Sequence, residues 1–203
     1  MSPSLLASLE RIHQMPGWCS TAKAVALAKV VLETRPALCV EVGVFGGRSL
    51  AALAMAIREV GKGVVYGIDP YEPCYDLEGE NDPRHQAWWA SCDYPDILRH
   101  AMAWMTHFDL WRYARLLNAP AHMVEDVFAA GSVGLLHLDA NHAAETTLRD
   151  VSLYLPKVMP GGFVVLDDAD WSCNGRHTAE QSLAMLEGRC DLVRILGNCR
   201  LYR

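Results

Sequence analysis

Residues 37–49 read ALCVEVGVFGGRS, an apolar run that carries one acid, Glu41, and closes on Gly43, Gly46 and Gly47. The run is too short for a buried helix and stops at a glycine, so it reads as a buried strand. The glycines let the backbone turn sharply and come close to a ligand. From Ser49 the pattern changes. Leu50, Leu53, Ala54, Ile57 and Val60 recur at a helical period, and Gly61 and Gly63 end the stretch. A strand, a glycine turn and a helix in that order open an α/β fold.

The same alternation extends in both directions. Upstream, residues 4–14 and 21–35 read as helices, the second capped by Ser20 or Thr21 and closed by Pro36. Downstream, 64–69, 113–118, 133–139 and 162–168 read as strands, with helices expected at 95–108, 143–155 and 178–187. Two last strands, 191–196 and 199–203, flank Gly197-Asn198 and form an antiparallel hairpin. Strand and helix in alternation imply a mostly parallel sheet covered on both faces. The expectation is one domain over 1–203, with 1–20 as an extension and 70–112 as an insertion on the substrate side.

The chain has 203 residues, 51% of them hydrophobic and 21% charged, which excludes a disordered or fibrous chain. Its 18 basic and 24 acidic residues leave a net charge of −6, a poor match to a broad basic nucleic-acid face. The seven cysteines include no CxxC pair, so zinc-ribbon and dithiol redox sites lack support. Scattered single cysteines read as reduced, cytoplasmic thiols. No apolar run reaches the roughly 20 residues that span a bilayer, and no targeting segment stands out.

In open α/β sheets ligands bind beyond the carboxyl ends of the strands. Those ends carry Glu41 to Ser49, then Asp69, then Asp139-Ala140-Asn141-His142, then Asp167-Asp168. A dinucleotide fingerprint needs a glycine at position 45, where Phe45 stands. Glu41 would repel a pyrophosphate but suits a cationic amino group, and Asp69 can accept ribose hydroxyls. An amino acid joined to a ribose describes S-adenosylmethionine. Asp139, Asp167 and Asp168 come from two strands expected to be neighbours. Three close carboxylates repel one another, and a hard cation such as Mg²⁺, Mn²⁺ or Ca²⁺ relieves that repulsion. As plain structure, the same acids would serve as caps. His137, alternating with Asp139, reads as a core histidine. Trp104, Phe108 and Trp111 have helical spacing that suits core packing, although the tryptophan-rich segment 85–111 could also line or cover a pocket. Arg84 and His85 are candidates to face substrate, and Arg176 and His177 read as a solvated loop.

With these residues in view, the sequence resembles the class I S-adenosylmethionine-dependent methyltransferases over about 21–203. EVGVFGGRSL and YGIDPY resemble their first two motifs. LLHLDANH and LPKVMPGGFVVLDDADW resemble the fourth and fifth strand motifs of a metal-dependent O-methyltransferase subgroup, which includes cephalosporin-hydroxylase-like and macrolide-sugar enzymes. The resemblance implies a Rossmann-like, doubly wound, seven-stranded sheet. It places Glu41, Gly43, Phe45, Gly46, Gly47 and Ser49 around the methionine part of the cofactor, Asp69 on the ribose, and Asn118 and Ala119 near the adenine. It implies Asp139, Asp167 and Asp168 as ligands of one divalent cation, Mg²⁺ first, and His142 as the general base beside Asp139. The implied partner is a small hydroxylated acceptor, a sugar or secondary metabolite, and a homo-oligomer stays open. Two other readings remain: a nicotinamide-dependent oxidoreductase, and a non-catalytic cofactor-binding protein of the same fold.

Overall fold

The computed structural model describes residues 1–203. Helix α1 (Pro3–Glu10) and one 3₁₀ turn lead into α2 (Thr21–Thr34), whose first turn is capped by the Ser20 hydroxyl accepting from the Lys23 amide at 3.2 Å. Then follow β1 (Leu38–Val42), α3 (Arg48–Val60) and β2 (Val64–Ile68). The expected insertion folds as three helices, α4 (Pro73–Asp76), α5 (Pro83–Ala90) and α6 (Tyr94–His107). The chain returns through β3 (Ala114–Leu117), β4 (Val133–Leu138), α7 (Ala144–Tyr154) and β5 (Val158–Leu166). It ends with a small hairpin, β6 (Ser172–Cys173) and β7 (Arg176–His177), then α8 (Glu180–Glu187), β8 (Leu192–Leu196) and β9 (Cys199–Tyr202).

The seven-stranded sheet has the order β3-β2-β1-β4-β5-β9-β8. The first five strands are parallel, β9 is antiparallel to β5, and β8 is antiparallel to β9. The chain reverses its winding between β1 and β4, so the crevice at their carboxyl ends is the topological switch point. One face of the sheet is packed by α1, α2 and α3 around Leu9, Leu27, Leu53 and Ile57; the other face is packed around Val151, Tyr154, Leu186 and Tyr202. Trp104 and Trp111 pack against the first of these cores, and Phe108 belongs to it, as their helical spacing predicts. No helix is long and apolar enough to cross a membrane.

Two local departures from the sequence reading have physical causes. The fifth strand starts at Val158, not Gly162, and Pro160-Gly161-Gly162 is carried within it. Its register against β4 shifts between Val133 and Leu135, and Gly161 takes φ +74°. Such an irregularity lets a strand hold a proline and two glycines that would otherwise end it. The second departure is the hairpin at 172–177. Arg176 and His177 lie on its exposed return strand, turned by Asn174 and Gly175 at φ +51° and +74°. Asn-Gly is the strongest short hairpin signal, and here the flanking strands are only two residues long.

Candidate active site

The glycine turn is held rigidly across the switch point. Gly43 sits at φ +90°, and a Cβ there would overlap the Asp139 carbonyl. The ends of β1 and β4 therefore approach as closely as only glycine permits. Phe45 also has a positive φ, +48°. The strain is held by Asp69, whose Oδ2 accepts the amides of Val44 (2.9 Å) and Phe45 (2.8 Å) and whose Oδ1 accepts that of Tyr71 (2.8 Å). The Tyr71 hydroxyl donates to the Phe45 carbonyl at 2.9 Å. Asp69 thus shapes the loop as well as lining the cavity. Its carboxyl pKa is raised by burial, with the three amide bonds opposing that shift. Tyr71→Phe removes a buried hydroxyl from a carbonyl, so we expect a loss of about 1 kcal/mol of stability, read as a lower urea midpoint with unchanged slope.

A cavity of about 700 Å³ opens above the strand ends. Gly43, Phe45, Ser49, Asp69, Asp139, His142 and Asp168 line it, so the structure brings these sequence-chosen residues together. Others lie elsewhere. Gly46 packs beneath the Pro16 carbonyl, and Gly47 caps α3 at φ +86°. Asn118 is exposed, and the wall after β3 is built from Pro120, Ala121 and His122 instead of Asn118 and Ala119. Glu41 is fully buried below the loop. Its Oε1 accepts from the Ser49 hydroxyl at 2.7 Å, and its Oε2 lies 3.7 Å from His137 Nδ1.

The three acids at the ends of β4 and β5 do not converge on one point. Asp167 turns inward and is buried. Its Oδ2 is in direct contact with the Lys23 ammonium and lies 3.6 Å from His137 Nε2, while its Oδ1 accepts from the Cys199 thiol at 2.8 Å and the Asp168 amide at 2.9 Å. Lys23 Nζ also stands 3.8 Å from Asp139. Burial presses Lys23 toward neutrality, but Asp139 and Asp167 outweigh it and keep the ammonium charged. Burial likewise opposes charge on His137, yet Asp167 and Glu41 lift its pKa to about 10. Carboxylate oxygens at 3.7 and 3.6 Å on the two sides of the ring favour its charged form. Burial would raise the Asp167 pKa; His137 and Lys23 hold it well below the usual carboxylate range.

Asp167 and Glu41 are thus engaged by Lys23 and His137 beneath the cavity. Asp139 and Asp168 line the cavity, with His142 between them in sequence, and burial and Asp167 push the Asp139 pKa well above the usual carboxylate range. Asp168 faces inward from a left-handed conformation, φ +46°; its Oδ1 accepts from Asn198 Nδ2, and its Oδ2 lies 3.2 Å from His142 Nε2. Burial pushes the His142 pKa down. The nearest donor atoms of Asp139, His142 and Asp168 all lie within 4.8 Å of one another. Two carboxylates and an imidazole face the cavity, with Lys23 3.8 Å from Asp139 and engaged by Asp167, and this donor set fits a divalent ion. The inner set of His137, Asp139 and Asp167 contains Lys23 already. Lys23, Cys199 and Asn198 carried no sequence signal as site residues: Lys23 sits in an amphipathic helix, and the other two lie at or beside the hairpin turn.

Trp171 forms part of the roof. Its ring lies 4.6 Å from that of His142 and 4.7 Å from that of His85, so His85 does reach the cavity from α5. Arg84 instead pairs with Asp82 on the surface. Over α4 the Asn141 amide donates to the carbonyls of Tyr75 (2.7 Å), Asp76 (3.2 Å) and Glu78 (2.9 Å), fixing the insertion to the end of β4.

The comparisons with known proteins agree with this fold. A family model described as a methyltransferase domain matches residues 40–169. No curated protein sequence matches the chain. Among solved structures, a protein of Corynebacterium glutamicum superposes with TM-score 0.69 at 14% identity, covering 99% of this chain and 89% of that one. The O-methyltransferase TomG of Streptomyces achromogenes, involved in tomaymycin synthesis and solved with S-adenosylmethionine, gives 0.67 at 15% identity, covering 100% and 90%. The S-adenosylhomocysteine-bound methyltransferase PaMTH1 of Podospora anserina gives 0.67 at 13% identity, covering 100% and 88%. At such identities the superpositions establish the fold. The family match spans well over half the chain, from inside β1 to just past β5, and so takes in the glycine turn and both acidic strand ends: the chain belongs to the methyltransferase-domain family and is a methyltransferase.

Proposed function

We propose that this methyltransferase moves the methyl group of S-adenosylmethionine to a hydroxyl of a small acceptor, a sugar or secondary metabolite, with a divalent cation assisting. The observation that carries this reading is the cluster of Asp139, His142 and Asp168 at the cavity floor, beside the glycine turn. Asp139 and Asp168 would hold the cation. When bound, the cation lowers the pKa of an acceptor hydroxyl, and S-adenosylmethionine supplies an electrophilic methyl group. His142 is kept neutral at pH 7 by burial; its Nε2 faces the Asp168 carboxylate and carries the ring proton, so the hydroxyl proton would be taken at Nδ1. The acceptor oxygen forms its bond to the methyl carbon as the carbon–sulfur bond breaks, leaving S-adenosylhomocysteine. Held in one cavity, acceptor and cofactor would react by alignment of oxygen, carbon and sulfur. Phe45 at the second glycine position of a dinucleotide fingerprint stands against a nicotinamide cofactor.

The test is a thermal-shift and calorimetric titration of the protein with S-adenosylhomocysteine and with NAD. Stabilisation by the first and none by the second is expected. Binding of NAD alone would overturn the reading. Turnover that is indifferent to EDTA and to added Mg²⁺ would overturn the cation's part while leaving the cofactor's intact.

A further inference from the structure

We propose that Trp18, Trp88 and Trp89 form a stacking shelf for a planar, uncharged ring carried by the methyl acceptor. The inference rests on the hydroxyl-methylating reading above and names the acceptor class more narrowly. The three indoles come from two segments distant in sequence, the turn before α2 and helix α5, and they meet Phe45 of the glycine turn. Ring centroids lie 4.9 Å apart for Trp18 and Phe45, 5.1 Å for Trp18 and Trp88, 5.7 Å for Trp18 and Trp89, and 4.7 Å for Trp88 and Trp89. All four rings line the cavity. Trp18 is nevertheless 62% exposed and Trp88 42% exposed. A tryptophan packed in a core buries roughly 150–250 Å² of largely apolar surface. Here much of that surface faces open space at a pocket mouth, where an apolar ligand gains most by covering it.

The geometry also selects the kind of ligand. An aromatic cage for an ammonium ion needs rings set around a gap. These indoles meet edge to face, at 69° to 77°, and fill the space between themselves. They offer outward faces instead. The lysine and arginines that line the cavity are already engaged, two of them by carboxylates and Arg48 by backbone carbonyls. Lys23 is paired with Asp167; Arg48 donates to the carbonyls of Met15 (2.6 Å) and His13 (2.9 Å); Arg149 is paired with Glu78 at 2.7 and 2.9 Å. These are the lysine and arginines that line the cavity. Trp18 lies five residues before Lys23, so the shelf and the acidic floor are adjoining walls of one cavity. His142 lines the same cavity as the three indoles.

The experiment uses the full chain saturated with S-adenosylhomocysteine and naphthalene-2,3-diol as the planar probe. Binding is read by quenching of tryptophan fluorescence. Methyl transfer from labelled S-adenosylmethionine is then compared among naphthalene-2,3-diol, cis-1,2-cyclohexanediol and a methyl mannopyranoside. The planar diol is expected to bind and to be methylated with kcat/KM roughly tenfold or more above the other two. Trp18→Ala and Trp88→Ala, at exposed positions where folding is secure, should each raise its KM by roughly tenfold, and Trp18→Phe should restore most of the loss, because stacking on an aromatic ring is worth about 1–3 kcal/mol. Unchanged KM in both alanine variants overturns the shelf. So does equal use of the alicyclic diol or the glycoside, or failure of the planar diol to bind the S-adenosylhomocysteine complex. If the wild-type protein fails to bind S-adenosylhomocysteine at all, it is the cofactor reading that falls.

Discussion

Lys23→Met is expected to cost about 3–5 kcal/mol of folding stability at pH 7, because it removes one partner of a buried ion pair and leaves the other in place. Methionine keeps most of the aliphatic stem, so packing changes little and the measurement isolates the charge. The Lys23 side chain is 13% exposed and the Asp167 side chain 0%, so solvent screening is slight. In the variant Asp167 still has His137, the Cys199 thiol and its neighbour's amide, and the loss should therefore not exceed that range. The pH dependence has a defined sign. The folded-state pKa of Asp167 is depressed, so its contribution is present above the unfolded carboxylate value of about 3.9 and is lost as pH falls below it. The raised pKa of Lys23 contributes stability at every pH below about 10.4. The gap between wild type and variant should hence narrow below about pH 4. Urea unfolding across these pH values measures it. A variant as stable as wild type at pH 7 would mean that Lys23 does not hold Asp167.

That ion pair also marks the boundary of what the sequence could tell. The sheet, its order of elements and the turn at Gly43 follow from local signals: short apolar runs, glycines at their ends, helical periodicity between them. The position of Asp69, Asp139, Asp167 and Asp168 at strand ends was legible for the same reason. Which of two adjacent acids faces the cavity was not. Neighbouring residues on a strand point to opposite sides, but Asp168 has left the extended conformation, φ +46°, and Asp167 is turned inward by a lysine 144 positions away. No pattern within the strand records either fact. Glu41 and Asp69 have the same history. Each has the residue type that suits a ligand, yet Glu41 is engaged below the loop by Ser49 and His137, and Asp69 holds three loop amides. A buried carboxylate takes the nearest donors, and the identity of those donors is set by tertiary contacts. Exposed Trp18 was invisible for the opposite reason: a lone tryptophan in a turn has no period to read.

Replacing His142 should separate its two possible roles at the floor of the cavity. As a base, it accepts a proton in the transfer step, and His142→Ala should lower kcat/KM by about 10²–10⁴-fold. Wild-type activity should rise with pH through a value below the usual imidazole pKa of about 6.5 and then level off, since burial favours the neutral ring. The variant should lose that limb. Binding of Mn²⁺, followed by calorimetry with S-adenosylhomocysteine present, gives a second and independent readout. Asp168→Asn removes an anionic oxygen from the outer cluster, so it should weaken Mn²⁺ binding as well as turnover. His142→Ala should slow turnover while Mn²⁺ affinity stays within a few-fold of wild type, because Asp139 and Asp168 remain to hold the ion. Loss of Mn²⁺ binding in His142→Ala would instead make the imidazole a ligand, one of the three donors that lie within 4.8 Å of each other. The proton would then have to leave through another group. Full turnover in His142→Ala across the pH range would remove His142 from the reaction altogether.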